Sequence, residues 1–346
     1  MMPAATPSGA GAGDAAEGAG ASAAPVVSAP GVAGREAAGA APARVGRIEF
    51  VNCFPLYHHF EDELEARGVR ATIVEGPPTT LNGMLVRGEI DVALPSSIAF
   101  ARDAAELTLL PQVSISSFGA VDSIQLFARR PLPDIRRVAL TEKSATSICL
   151  LKVLCAEWGV APEFAPRRGP LSEILDDFDA LLLIGDEALH LLRVEAYPHH
   201  YDLGAEWKRV TGLPMVYAVC AARREFAAAR PAAAAAVGAA LLASRDRCAA
   251  DPAGTAAAAA QRYDFSQRYL MEYFDKLKFG FTAEYRSGLE EFYRRAVAIG
   301  ELDAVPELTA ASFGVATPAP TAPSAFAPPL SAPSASAPPA SAPSSA

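Results

Sequence analysis

Short apolar runs alternate with helical stretches from residue 45 to residue 221, and most of the runs end on a small polar residue. The first run, residues 45–51, puts Ile48 and Phe50 on one face and closes at Asn52. Pro55 follows, which suits the first turn of a helix because it has no N–H to lose there. That helix continues through Leu56-Tyr57-His58-His59-Phe60 and stops at Arg67-Gly68. Further strands read at 69–74, 90–94, 107–115 and 123–128, with helical segments at 81–87 and from Ile98. Strands separated by helices predict parallel sheets with right-handed crossovers, an α/β fold.

A second unit of the same kind starts at Pro131-Leu132-Pro133. Strands read at 135–140, weakly at 163–166, and at 180–184, with a helix from Ser147 to Trp158 and another beginning near Leu171. Residues 215–221 are an apolar strand long enough to lead back to the first unit, and the pattern from Arg223 to about Ala304 is helical. The expected organisation is one lobe at 45–130 plus 222–314 and a second at 131–221, joined by crossings near 129–134 and 213–222. Such a protein holds its ligand in the cleft between the lobes and closes by a hinge. The ends of the 346-residue chain differ from this core. Residues 1–44 and 315–346 are mostly Ala, Gly, Pro and Ser without periodicity, and are expected to be disordered.

Composition narrows the function. The net charge is −9 with no Lys/Arg stripe, so no nucleic-acid partner is expected. The cysteines Cys53, Cys149, Cys155, Cys220 and Cys248 are scattered without metal spacing, as in a reduced, cytoplasmic protein. No early basic residue precedes an apolar run near the N-terminus, so no secretory signal is expected, and no segment has the length of a membrane span. The pairs His58-His59 and His199-His200 point their rings in different directions, which makes a poor metal site. Neither G-x-G-x-x-G, G-x-x-x-x-G-K-[ST] nor G-x-S-x-G is present, so neither a phosphate-binding cofactor nor a serine hydrolase is indicated. No cofactor and no metal are expected.

The candidate ligand groups are the polar residues at the strand ends: Asn52, Ser96 and Ser97, the stretch 117–123 with Ser123, then Ser144, Thr146 and Ser147, and Asp186 after Gly185. Three of these places lead directly into helices, where unpaired backbone N–H groups and the helix dipole favour an anion. Hydroxyls add hydrogen bonds without a buried countercharge. The set suits a small carboxylate, although each serine alone also fits an ordinary helix cap.

Several stretches, in order, are those of a known family. Val45-Gly46-Arg47-Ile48-Glu49-Phe50-Val51-Asn52-Cys53-Phe54-Pro55-Leu56-Tyr57, Leu85-Val86-Arg87-Gly88-Glu89-Ile90-Asp91, Leu183-Ile184-Gly185-Asp186-Glu187, Tyr201-Asp202-Leu203-Gly204 and Thr211-Gly212-Leu213-Pro214-Met215-Val216-Tyr217 lie within residues 45–305. This series resembles the chorismate dehydratases of the futalosine route to menaquinone. The resemblance implies a type 2 periplasmic-binding-protein fold used as a cytoplasmic enzyme, with chorismate losing water to give 3-[(1-carboxyvinyl)oxy]benzoate. It places the family's functional Asn on Asn52 and its functional Ser on Ser123. It also implies a scheme in which the substrate's own enolpyruvyl carboxylate takes the proton. Ala120 stands where that family commonly has Pro, Phe118 where an Asp often precedes the Gly, and Ala99 where other members carry an acid. Alternatives are a non-catalytic solute-binding protein of the same fold and the sister 1,4-dihydroxy-6-naphthoate synthase, for which a Ser-Pro-Cys-Pro-Asn-type opening is expected.

Overall fold

The structure, a computed structural model, describes residues 41–167, 177–195 and 197–310. The stretch 315–346 and the helix expected near Leu171 lie outside the described residues. The first strand begins earlier than expected, inside the stretch read as a disordered tail. Strand β1 (Ala43–Ile48) includes Arg44, whose main-chain N–H donates to Asp91 Oδ2 at 2.8 Å and whose guanidinium holds Asp91 Oδ1 at 2.5 Å.

Two sheets carry the fold. The first has β1, β2 (Ala71–Gly76), β3 (Val92–Ala93), β4 (Leu107–Ser117), β10 (Met215–Arg223) and β11 (Leu277–Lys278), in the order β11-β4-β10-β3-β1-β2. The second has β5 (Ile124–Ala128), β6 (Arg137–Leu140), β7 (Glu163–Pro166), β8 (Ala180–Ile184) and β9 (His199–Asp202), in the order β7-β6-β8-β5-β9. Apolar runs such as Ala180–Ile184 are buried along their whole length, which is why they carry no alternation.

Two expectations need correction. The parallel pattern holds for β1 with β2 and β3, and for β6 with β7 and β8. It fails for β10, antiparallel to β3 and β4, and for β5, antiparallel to β8 and β9. These two are the strands by which the chain enters each sheet from the other. They come from the other sheet and not from a strand of the same one, so the right-handed parallel crossover does not set their direction. The crossings therefore sit at 118–123 and 203–214. Ile124–Ala128 belongs to the second sheet, not the first lobe, and Met215–Arg223 to the first sheet.

The helix after Asn52 is not continuous. It breaks into Phe54–Tyr57 and Phe60–Ala66. Ser244, on the long helix Pro231–Ala250, accepts from His59 N at 3.0 Å and donates to Pro55 O at 3.2 Å. A hydroxyl inserted into the i→i−4 ladder is a sufficient cause of the break. The C-terminal helices pack as a layer on the first sheet, and Ala283–Ala298 also touches the helix Ala145–Glu157. Among the described residues no helix is long and apolar enough to cross a membrane.

One carboxylate ties the crossings together. Asp202 ends β9 and caps the helix Leu203–Thr211 by accepting from Gly204 N and Ala205 N. It also accepts from Val121 N and Asp122 N on the other crossing, and from Gln125 Nε2 in β5 just beyond it. Only glycine fits at 204, since an added Cβ would lie 2.4 Å from Gly119 O and 2.5 Å from the Tyr217 hydroxyl. Asp202→Ala would leave five donors to find other partners, and the expected loss is about 3 kcal/mol or more of unfolding free energy. Urea unfolding measures it, and a change below about 0.5 kcal/mol would show that the crossing is held by packing alone.

Candidate active site

The strand ends converge as the alternating pattern requires. A cavity of about 60 Å³ lies between the two sheets, with Asn52, Ser96, Ser123, Ser144, Ser147 and Tyr217 as its polar lining. Ile48, Phe50, Leu94, Ile115, Ile124 and Ile184 supply the apolar walls. None of the lining residues is Asp, Glu, Lys, Arg or His.

Asn52 sits in a single 3₁₀ turn, Val51–Cys53, between β1 and the Pro55 helix. Its Oδ1 lies 3.3 Å from Cys53 Sγ, and the turn is braced from the second sheet, where Asp186 Oδ1 accepts from Val51 N at 3.1 Å. Burial pushes the Asp186 carboxyl above its ordinary range. Burial, with the Asp186 charge nearby, also pushes the Cys53 thiol far up, so this cysteine is a wall of the cavity and not a thiolate nucleophile.

Ser123 is almost fully buried and is held through its backbone. Gly185 N donates to Ser123 O at 2.8 Å, and Ser123 N donates to Val121 O at 2.6 Å. The preceding residue, Asp122, has φ +57°, and its carboxylate pairs with Lys276. A non-glycine residue in the left-handed region is retained where surrounding contacts over-determine it. Here the contacts are the Asp202 carboxylate on its N–H and the Lys276 ammonium on its side chain.

The other expected hydroxyls divide. Ser96 lines the cavity with a buried Oγ that has no hydrogen-bond partner, so its bonding capacity is free for a ligand. Ser144 caps the helix Ala145–Glu157, accepting from Ser147 N at 3.1 Å, and the Ser147 hydroxyl donates to Ser144 Oγ at 3.0 Å; both still face the cavity. Ser97 and Thr146 lie outside the lining. Ser97 Oγ donates to Val216 O at 2.9 Å, and Thr146 Oγ1 accepts from Ile98 N at 2.9 Å. Their hydroxyls sit 3.2 Å apart and join the two helices that flank the cleft. Asp186 also lies outside the lining and acts through the Val51 backbone.

Two tyrosines complete the surroundings without having been singled out from sequence. Tyr217 shares a 2.8 Å hydrogen bond with Ser117 Oγ and lines the cavity. Its place in β10 within the Met215-Val216-Tyr217 motif was the available signal. Tyr273 is buried on the helix Gln267–Lys276, against Ser123, and no local pattern connects it to a strand end. Phe118, where the resembled family often has an acid, is partly exposed under the Lys208 ammonium, 3.9 Å from its ring centre. A larger cavity of about 280 Å³ lies behind the Asn52 turn and shares Ile48 and Cys53 with the cleft. Its charges largely satisfy one another, with Arg47 paired to Glu61 and Glu75.

A family described as menaquinone biosynthesis matches residues 43–298, which span every one of these cleft residues. The chain belongs to that family. A curated relative, the chorismate dehydratase of Thermus thermophilus, is 39% identical over 199 residues, 53% of this chain and 71% of that protein. The fold is that of periplasmic binding proteins. The alkanesulfonate-binding protein SsuA from Xanthomonas axonopodis pv. citri, bound to MOPS, has a TM-score of 0.59 at 19% identity, covering 79% of this chain and 97% of that one. The Candida albicans CA3427 gene product has a TM-score of 0.60 at 12% identity, covering 75% and 92%.

Removing the orphaned hydroxyl should not weaken the fold. Ser96→Ala is expected to leave unfolding free energy unchanged or to raise it by about 1 kcal/mol. A loss above about 1 kcal/mol in urea unfolding would show that Ser96 Oγ is bonded within the protein.

Proposed function

We propose that this member of the menaquinone biosynthesis family eliminates water from chorismate to give 3-[(1-carboxyvinyl)oxy]benzoate, with Asn52 and Ser123 as its catalytic hydrogen-bonders. The observation that carries the reading is the convergence of Asn52 and Ser123 on one cleft lined by neutral hydrogen-bonders and apolar walls. The 39% identity to a chorismate dehydratase supports the substrate.

The chemistry asks for little more than orientation. Loss of the C3 proton and the C4 hydroxyl makes the cyclohexadiene ring aromatic, so the step is strongly downhill. No lining residue is a base at neutral pH. The enolpyruvyl carboxylate of chorismate, held near C3, takes the proton, and the C4 oxygen leaves with the shared electron pair. Asn52 and Ser123 orient the ring and stabilise charge on the departing oxygen. Ser96, together with the helix start at Ser144 and Ser147, holds a substrate carboxylate by hydrogen bonds and the helix dipole. In this reading the lobes open to admit the substrate and close on it. The buried, unpaired cysteines suit a reducing, cytoplasmic setting.

Purified protein turning over chorismate, followed by chromatography and mass, is the test. Asn52→Ala and Ser123→Ala are each expected to lower kcat by about 10²- to 10³-fold with the fold intact. If both variants keep the wild-type rate, the catalytic assignment is wrong. If chorismate binds and is recovered unchanged, the chain is a binding protein.

A further inference from the structure

The helix Gln267–Lys276 approaches the Ser123 loop from the C-terminal layer, and its register there is fixed at several points. Phe274 stacks parallel on Phe54, beside the Asn52 turn, at 6.3 Å between ring centres and 5° between planes. Lys276 pairs with Asp122. The chain then enters β11, where Leu277 and Lys278 pair with Ser117 and Ser116 of β4. Tyr273 lies three residues before Lys276, so the two side chains share a helix face. Lys276 meets Asp122, and Tyr273 meets the next residue, Ser123.

The Tyr273 ring is 1% exposed, yet its hydroxyl has no hydrogen-bond partner within the protein. It lies beside the Ser123 side chain: burial pushes the phenol up and that hydroxyl is near enough to draw it down, but outside full hydrogen-bond geometry. A buried phenol normally finds a partner, and the loss of one costs free energy. Packing alone would be served equally well by phenylalanine. Burial also pushes the phenol well above its ordinary range, so it stays protonated and can donate.

We propose that Tyr273 is a positioning residue for Ser123, its phenol O–H donating to Ser123 Oγ when substrate is seated, so that the serine hydroxyl points its own O–H into the cavity. A serine hydroxyl has one donor and two acceptor sites. Occupying one acceptor from the C-terminal layer leaves the donor for the departing oxygen of the substrate. This assignment rests on the dehydratase reading above.

The test compares wild type, Tyr273→Phe, Ser123→Ala and the double variant with chorismate as substrate. Tyr273→Phe is expected to lower kcat about tenfold, with KM within about twofold and Tm unchanged. The double variant is expected to be no slower than Ser123→Ala alone, because the phenol acts only through that hydroxyl. Three results would overturn the assignment while leaving the dehydratase reading in place: a wild-type kcat in Tyr273→Phe, a further tenfold loss in the double variant over Ser123→Ala, or a fall in kcat that tracks a lower Tm. If the wild-type protein forms no product, the dehydratase reading falls, and this assignment falls with it.

Discussion

The Asp202 carboxylate holds the two crossings of the chain in one place. It caps the helix that follows β9 and gathers the backbone N–H groups of Val121 and Asp122 and the side chain of Gln125. Burial pushes its carboxyl up, while the N–H groups of Ala205, Asp122 and Val121 pull it down; burial is the larger. The bonds fix the residue just before Ser123 in a left-handed conformation and bring Gly204 against Gly119 and Tyr217. The second sheet adds Gly185 N on Ser123 O and Asp186 on Val51 N. Both proposed catalytic residues are thus set by contacts that reach across the cleft.

The cavity itself has no charged wall, which fits a substrate that brings its own charges. A lysine or arginine buried there would need compensation whenever the cleft was empty. Hydroxyls and helix starts offer hydrogen bonds at lower desolvation cost. The same absence of charge leaves no Asp, Glu, Lys, Arg or His in the lining, and for that reason the proposed reaction assigns proton removal to the substrate carboxylate and orientation to the protein. Cys53 and Tyr217, both pushed up by burial, remain protonated.

Much of this was legible in the chain. Apolar runs followed by Asn52 and Ser96, and one opened by Ser123, marked the strand ends and the cleft, because buried strands and helix starts leave local marks. Sheet membership was not legible for Ile124–Ala128 or Met215–Arg223, since an apolar run records burial and not which partner it pairs with. The short strands His199–Asp202 and Leu277–Lys278 carry too few residues for a pattern. Ser96 and Ser97 are adjacent and chemically alike, yet one faces the cavity while the other bonds Val216. Tyr273 meets Ser123 from 150 residues away, a contact that only the packing of the C-terminal layer creates.

The neutrality of the cleft is open to one direct measurement, kcat for chorismate as a function of pH. With no titrating base in the lining, kcat is expected to be flat from about pH 6 to about pH 9. It should fall only on the acid side, where the raised Asp186 carboxyl takes up a proton and its hold on Val51 N weakens. A bell-shaped profile centred near neutral pH would contradict this, because it would require a protein acid or base within reach of the substrate.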